Sequence, residues 1–277
     1  MKRTFPFILN SKTLNKFERR YAQFFQVTPE IDQRCKNCMH FLIDKNVANK
    51  IVNITSINDQ SIIEIGPGTG FLTDEIIKKN PKKLYLLEKD YFLYQELKRK
   101  YYKYKNIEII NGDALNFNFK SIKEKKKIIS NLPYNISIKL IMNWLKIEFK
   151  LQKMVLMIQK EVADKMNYIN KIKKNRLNLF IEVASRYNIE FDVSNNVFFP
   201  KPKINSSVIT ITPKNNLNID LNKFESFTRE IFQYKRKKLS TVLKLKEKKI
   251  SLSNSDIYEK RAEDLILSEL MSVFNQF

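Results

Sequence analysis

Ser61-Ile62-Ile63-Glu64-Ile65-Gly66-Pro67-Gly68-Thr69-Gly70 is the stretch that decides how this chain folds. A short strand-prone run leads straight into three of the protein's four glycines, and a helical pattern follows through Leu72, Ile76 and Ile77. Strand, glycine turn and helix in that order let bare backbone approach a ligand at a helix start, because glycine accepts the left-handed conformations the turn needs. The spacing is G-x-G-x-G, which differs from the G-x-G-x-x-G of dinucleotide sites. The turn alone names no ligand.

Reading outward, the next strand is Leu84 to Leu87 and ends in Glu88, 22 positions after Gly66. An acid at the tip of the second strand of a βαβ unit is placed to accept bonds from both hydroxyls of a ribose. A helix over roughly Tyr91 to Tyr102 and a strand Ile107 to Ile110 follow, ending in Asn111-Gly112-Asp113-Ala114. Asp113 at this third tip is placed to accept from an adenine amine. The fourth strand, Lys127 to Ser130, runs into Asn131-Leu132-Pro133-Tyr134 and then a helical pattern from Ile136 to Leu145. Pro133 fixes its own φ and keeps Leu132 out of the α region, so this loop is stiff and extended. It presents the amide oxygen of Asn131, the backbone carbonyl of Leu132 and the flat face of Tyr134. Two acceptors beside an aromatic plate suit a planar ring carrying an exocyclic amine. Gly66, Glu88, Asp113 and Asn131 all fall at strand carboxyl ends, the edge where open α/β sheets bind ligands.

Met154 to Ile158 reads as a fifth strand, followed by a helix from Lys160 and another over Leu177 to Tyr187. Ile189 to Val193 and Ser207 to Ile211 read as the last two strands. Between them, Phe198-Phe199-Pro200-Lys201-Pro202-Lys203 is a stiff loop of aromatics and lysines. Beyond Leu217 there is neither Gly nor Pro, and the periodicity is helical. We expect a separate small helical domain there. Its segment Arg229 to Lys249 holds nine Lys or Arg and two Glu, with Lys235-Arg236-Lys237-Lys238 at the centre, a run suited to phosphate contact.

The chain has 277 residues and carries 51 Lys and Arg against 29 Asp and Glu, a net charge of +22. That excess implies a polyanionic partner, nucleic acid first. No apolar run approaches the ~20 residues of a membrane span. The two cysteines, Cys35 and Cys38, are spaced C-x-x-C, but with a single histidine, His40, they do not complete a zinc site. Plain thiols in a reducing compartment are expected, and no metal. Residues 1–33 hold six basic residues and three acids and lack a secretory pattern. They read as a basic extension or RNA-contacting arm, with an organellar transit segment as the alternative.

Three stretches together, Glu64 to Gly70, Asn131 to Ser137, and Phe198 to Lys203 followed by Asn205-Ser206-Ser207, resemble the rRNA adenine N6-dimethyltransferase family. The resemblance covers about residues 34–277. Phe232 to Leu239 and Arg261-Ala262-Glu263-Asp264-Leu265 are similar to elements of its housekeeping, kasugamycin-resistance branch. The family implies a doubly wound Rossmann-like sheet, mostly parallel with one antiparallel strand, and a small C-terminal helical domain. On this reading residues 34–214 form the methyltransferase domain and residues 215–277 the RNA-binding helical domain.

The resemblance also implies S-adenosylmethionine as cofactor, contacted by His40, Leu42, Gly66, Glu88, Asp113 and Asn131. Asn131, Leu132, Pro133, Tyr134 and Phe198 would form the catalytic set, with Tyr134 and Phe198 stacking on opposite faces of an extruded adenine. Lys201, Lys203, Lys235, Arg236, Lys237 and Lys238 would hold RNA phosphates. The implied reaction is dimethylation of two adjacent adenosines in the 3′-terminal hairpin of small-subunit rRNA, on a pre-30S-type particle, by a cytoplasmic monomer without membrane attachment. The chain departs from the family's F-G-Q-N-F-L, carrying Asn37-Cys38-Met39-His40-Phe41-Leu42. His40 retains a hydrogen-bond donor and Met39 does not. Three other readings stay open at this level: a DNA adenine or protein glutamine methyltransferase, an RNA-binding assembly factor of the same fold without turnover, and a nucleotide-binding α/β domain of other role.

Overall fold

In the computed structural model, the described residues are 40–147, 149–169, 173–215, 217–234, 236–246 and 256–277. The basic extension, Cys35, Cys38, Met39 and Lys235 lie outside them. The chain begins with a short strand β1 (Phe41–Leu42) and a helix α1 (Lys45–Val52), started by Asp44, whose carboxylate accepts from the amides of Asn46 and Val47. Two strand–helix units and a third strand follow: β2 (Ser61–Ile65) and α2 (Phe71–Ile77), β3 (Lys83–Glu88) and α3 (Tyr91–Tyr101), then β4 (Ile107–Asn111). The chain then returns to β5 (Lys126–Asn131), α4 (Ser137–Lys146), β6 (Leu151–Gln159), α5 (Lys160–Met166) and α6 (Arg176–Ala184). It continues through β7 (Ser185–Val193), β8 (Phe198–Phe199) and β9 (Ser206–Pro213).

Seven strands form one sheet in the order β4-β3-β2-β5-β6-β9-β7. Every neighbouring pair is parallel except those made by β9, which runs antiparallel to both β6 and β7. The sheet is thus doubly wound with one reversed strand, as the family resemblance implied. The continuous apolar runs of the central strands are explained by burial on both faces. Ile62, Leu84, Leu86, Ile129 and Val155 pack toward α1, α2 and α3. Ile63, Ile65, Leu87, Ile128 and Leu156 pack toward α4 and α5 with Trp144 and Met166. The winding direction reverses between β2 and β5, so a crevice opens beyond their carboxyl ends.

The helix expected to reach Tyr187 stops at Ala184, and the strand expected from Ile189 begins at Ser185. The Ser185 amide and hydroxyl both bond back to the Ile181 carbonyl, closing the last turn. Beyond it, Tyr187, Ile189, Phe191 and Val193 alternate with polar residues at a strand's period of two. The described part of the C-terminal segment is helical: α7 (Leu221–Ile231), α8 (Leu239–Leu245), α9 (Asp256–Glu259) and α10 (Leu267–Phe274). These helices bury Phe224, Phe227, Leu239 and Leu270 against the outer face of α6, through Leu179, Phe180 and Val183. The described residues of the basic run, Arg236 to Lys238, are not in a helix. Arg236 and Lys237 sit in the turn between α7 and α8, where both are exposed.

Candidate active site at the carboxyl ends of β2 and β5

The glycine turn after β2 takes left-handed conformations at Gly66 (φ 60°), Gly68 (φ 58°) and Gly70 (φ 80°). At Gly66 the turn faces the loop after β5, since a Cβ there would lie 3.8 Å from the Pro133 ring. At Gly68 a Cβ would come within 2.9 Å of the Phe41 ring, so β1 lies directly over the turn. With φ positive at both, a side chain would be strained at either position, which is why the sequence spends its scarce glycine here.

Glu88 closes β3 beneath that turn. One carboxylate oxygen accepts from the Gly68 amide at 3.1 Å and the other from the Asp90 amide at 2.9 Å. Burial pushes its pKa up to about 7, although backbone amide bonds pull the other way. Each oxygen keeps acceptor capacity for a hydroxyl donor. Behind it, Glu64 is fully buried and accepts from Thr73 Oγ1 at 2.6 Å, and burial outweighs that bond and pushes it up to about 8. Asp113 is held differently. Lys89 Nζ lies 2.8 Å from one oxygen and the Leu115 amide donates to the other at 2.9 Å, so its pKa falls. An adenine amine at Asp113 would therefore share the carboxylate with Lys89 and the Leu115 amide.

Asn131 carries the most telling feature of the crevice. Its Nδ2 donates to the His40 carbonyl at 3.3 Å, which sets the amide orientation. That turns Oδ1 into a buried position where no donor among the described residues reaches it. A buried acceptor without a partner costs about 1–3 kcal/mol, so it marks a place where an incoming donor is rewarded. The Leu132 side chain is anchored in the core and its amide bonds to the Met157 carbonyl at 3.1 Å, while its own carbonyl accepts no bond among the described residues. Pro133 is exposed and Tyr134 half-buried. The Tyr134 hydroxyl lies 2.7 Å from Ser206 Oγ, and burial raises the phenol's pKa against the pull of that bond.

His40 joins three parts of the site. Its Nδ1 lies 2.8 Å from the Pro200 carbonyl, which only accepts, so Nδ1 carries the proton. Its carbonyl receives Asn131, and its ring lies 5.8 Å from that of Tyr134 at 37°. Next to it, β1 pairs with β8 through Phe41 with Phe199 and Leu42 with Phe198. The proline-rich loop is thereby clipped to the segment before α1.

The expected pairing of Tyr134 with Phe198 is not what this conformation presents. Phe198 is 2 % exposed and packs with Leu42, Val193 and Val208 in the core, because β8 turns it to that side and Phe199 to the other, against Phe41 and Leu93. The ring beside Tyr134 is that of His40. Leu42 is likewise buried, so its side chain serves the core and only its backbone faces the ribbon with β8. Of the cations, Lys201 and Lys203 are exposed on the proline-rich loop, while Lys238 is paired with Glu259. Sequence reasoning missed Ser206, Phe41, Lys89 and the Pro200 carbonyl, since each acts through a partner distant in the chain.

Comparison with known proteins fits this geometry. The model of the family described as ribosomal RNA adenine dimethylase matches residues 32–276. A ribosomal RNA small subunit methyltransferase A from Sulfurihydrogenibium sp. (strain YO3AOP1) is 37 % identical over 245 residues, 85 % of this chain and 92 % of the relative. The protein of the same description from Malacoplasma penetrans is 38 % identical over 236 residues, covering 83 % of this chain and 85 % of its own. Among solved structures, a dimethyladenosine transferase from Plasmodium falciparum superposes with a TM-score of 0.72 at 23 % identity, covering 84 % of this chain and 95 % of that one. The fold is therefore shared in three dimensions and the sequence match extends over nearly the whole length: the chain belongs to the ribosomal RNA adenine dimethylase family.

Proposed function

We propose that this protein transfers methyl groups to the N6 amines of two adjacent adenosines in the 3′-terminal hairpin of small-subunit rRNA. The broader statement, an S-adenosylmethionine-dependent rRNA adenine dimethyltransferase, follows from its family. The observation that carries the chemistry is the buried, partnerless Oδ1 of Asn131 beside the Leu132 carbonyl. Those two oxygens match the two N–H groups of an adenine amine.

The crevice suits the cofactor. The side-chain-free turn at Gly66 leaves room for its methionine part, Glu88 keeps acceptors for its ribose, and Asp113 accepts from its adenine. His40 and Asn131 border the same space, and Leu42 supports it from the core. When bound, S-adenosylmethionine supplies a methyl carbon already activated by a positively charged sulfur.

The remaining task falls to the chain. The N6 lone pair of adenine is delocalised into its ring and attacks poorly. Asn131 Oδ1 and the Leu132 carbonyl accept the two amine hydrogens and favour a pyramidal nitrogen, a shape reached only near the transition state. Pro133 keeps both oxygens fixed, and holding the amine in line with the methyl carbon gives the rest of the advantage. With each transfer a new N–C bond would form as the bond between the methyl carbon and sulfur breaks, its electron pair staying on the sulfur as a neutral thioether, and one proton would leave the nitrogen for solvent. The base must leave its stack to arrive, and the Tyr134 face receives it. Lys201, Lys203, Arg236 and Lys237 contribute phosphate contacts that carry affinity rather than sequence. A monomer acting on a pre-30S-type particle in the cytoplasm completes the reading.

The test is incubation of the purified protein with S-adenosylmethionine and unmodified small-subunit particles, followed by mass spectrometry of the rRNA. Dimethyladenosine at two adjacent 3′-terminal positions is expected. Absence of methyl incorporation would overturn the reading.

A further inference from the structure

Beside the active site lies a second cleft, of about 640 Å³, between α5, the start of α6 and the end of the proline-rich loop. It is built from Lys160, Lys165, Asn195, Lys203, Ile204 and Asn205, with Glu161, Asp164 and Asn175 completing the wall. Of its carboxylates, Glu161 pairs with Lys165 at 2.6 Å, while Asp164, half exposed to solvent, lies 3.9 Å from Lys160, which bonds Asp192 at 2.6 Å. Asn175 is committed to starting α6. Four groups remain uncommitted among the described residues. Lys203 has no ion partner. The Asn195 side chain donates to the Pro202 carbonyl through Nδ2, which leaves its Oδ1 to accept. Asn205 receives the Asn195 backbone amide on Oδ1, which leaves its Nδ2 to donate. Ile204 is 42 % exposed, an apolar surface over the cleft.

We infer that this cleft seats the nucleotide next to the target adenosine. The inference rests on the rRNA reading above and extends it. A cation, an apolar face, one donor and one acceptor are what a nucleotide asks for: phosphate, ring face and base edge. The volume lies within the range of small-ligand sites. Position supplies the connection. Asn205 lines the cleft, and the residue after it, Ser206, holds the Tyr134 hydroxyl at 2.7 Å. One chain step of about 3.8 Å between Cα atoms thus separates a residue lining this cleft from the residue that fixes the target base's platform. A base extruded into the crevice leaves its neighbour without a stacking partner on one side. Without a seat, that neighbour would lose its stacking with nothing in return.

The experiment pairs protein and RNA changes, using the full chain, S-adenosylmethionine and an RNA hairpin with one target adenosine. Each neighbour of the target is made abasic in turn. Ile204→Ser is expected to lower kcat/KM on the intact hairpin about fivefold to tenfold, as removal of a stacking face does. For one of the two neighbours, removing its base should cost the parent protein a similar factor, and the combination should cost no more than either change alone. Ile204→Phe, which restores an apolar face, should keep the parent rate. Independent, multiplying losses for both neighbours, or no loss with Ile204→Ser, would overturn the cleft's assignment while leaving the parent's turnover intact. Failure of the parent protein to methylate the intact hairpin would instead strike the reaction itself.

Discussion

The hydroxyl of Tyr134, on the loop after β5, lies 2.7 Å from the hydroxyl of Ser206, a fully buried serine at the start of β9. The bond ties the ring proposed to receive the target base to the one strand that runs against its neighbours. Ser206→Ala and Tyr134→Phe should each lower kcat by a few-fold, the order of one hydrogen bond worth ~1 kcal/mol. The double variant should fall no further, and cofactor affinity should hold. Losses that multiply in the double variant would show that Ser206 does not act through Tyr134.

Removing Asn131 separates activity from stability. Asn131→Ala deletes an acceptor that is buried without a donor, and gives up only a long bond to the His40 carbonyl. Transfer should drop by about 10²–10³, the usual loss for a donor or acceptor aimed at the reacting group. The melting temperature should hold or rise. Single-turnover kinetics and a thermal melt decide it, and a variant that transfers at the parent rate ends the role assigned to Asn131.

Gly68 is tested by Ala. The substitution forces a left-handed φ of 58° on a residue with a Cβ and drives that Cβ to within 2.9 Å of Phe41. A loss of about 1 kcal/mol or more in stability is expected, with cofactor binding weakened as β1 is displaced. Adding Phe41→Ala should relieve the collision but not the backbone strain, so cofactor affinity measured by titration calorimetry should recover in part. No recovery would mean that Phe41 is not what crowds the turn.

Glu88 makes stability depend on pH in a definite direction. Its folded pKa of about 7 lies above the ordinary 4.5 because burial disfavours the charge. The folded state therefore holds the proton longer than the unfolded chain, and stability falls as pH rises from 4.5 through about 7, then levels. Glu64 adds a slope of the same sign reaching to about 8. Urea unfolding of Glu88→Gln between about pH 5 and 8 should show a shallower decline than the parent. An equal slope would place the titration elsewhere.

The exposed turn between α7 and α8 is read through salt. Arg236→Ala and Lys237→Ala should each reduce the salt slope of RNA binding by about one, as expected when a single phosphate goes unneutralised. Lys238→Ala should change it less, because Glu259 already occupies that cation. Slopes equal to the parent's for Arg236 and Lys237 would remove this turn from the RNA surface.

The alternation of strands and helices was legible from the chain because the central strands are short, apolar and followed by turn or polar residues, while the doubly wound order came from the family resemblance. Gly66, Glu88, Asp113 and Asn131 were recognisable by position alone, and the fold does gather them on one edge. The boundary at Ala184 was not legible, since Ala184-Ser185-Arg186-Tyr187 continues a helical pattern and what ends it is the extended backbone of Ser185, paired with Pro213 of β9. The basic run looked helical for the same reason, and its described residues Arg236 and Lys237 lie in a turn.

By itself, then, the sequence determined which strand ends carry chemistry, because local spacing and turn residues place a side chain along its own element. Tertiary structure decided which partners those side chains meet. It set His40 against Pro200, Asn131 and Tyr134, turned Phe198 into the core and Lys89 onto Asp113, and brought Ser206 to Tyr134 across 72 positions. Those contacts join segments far apart in the chain, and their geometry follows from the pairing of β1 with β8 and of β9 with β6, which no local pattern encodes.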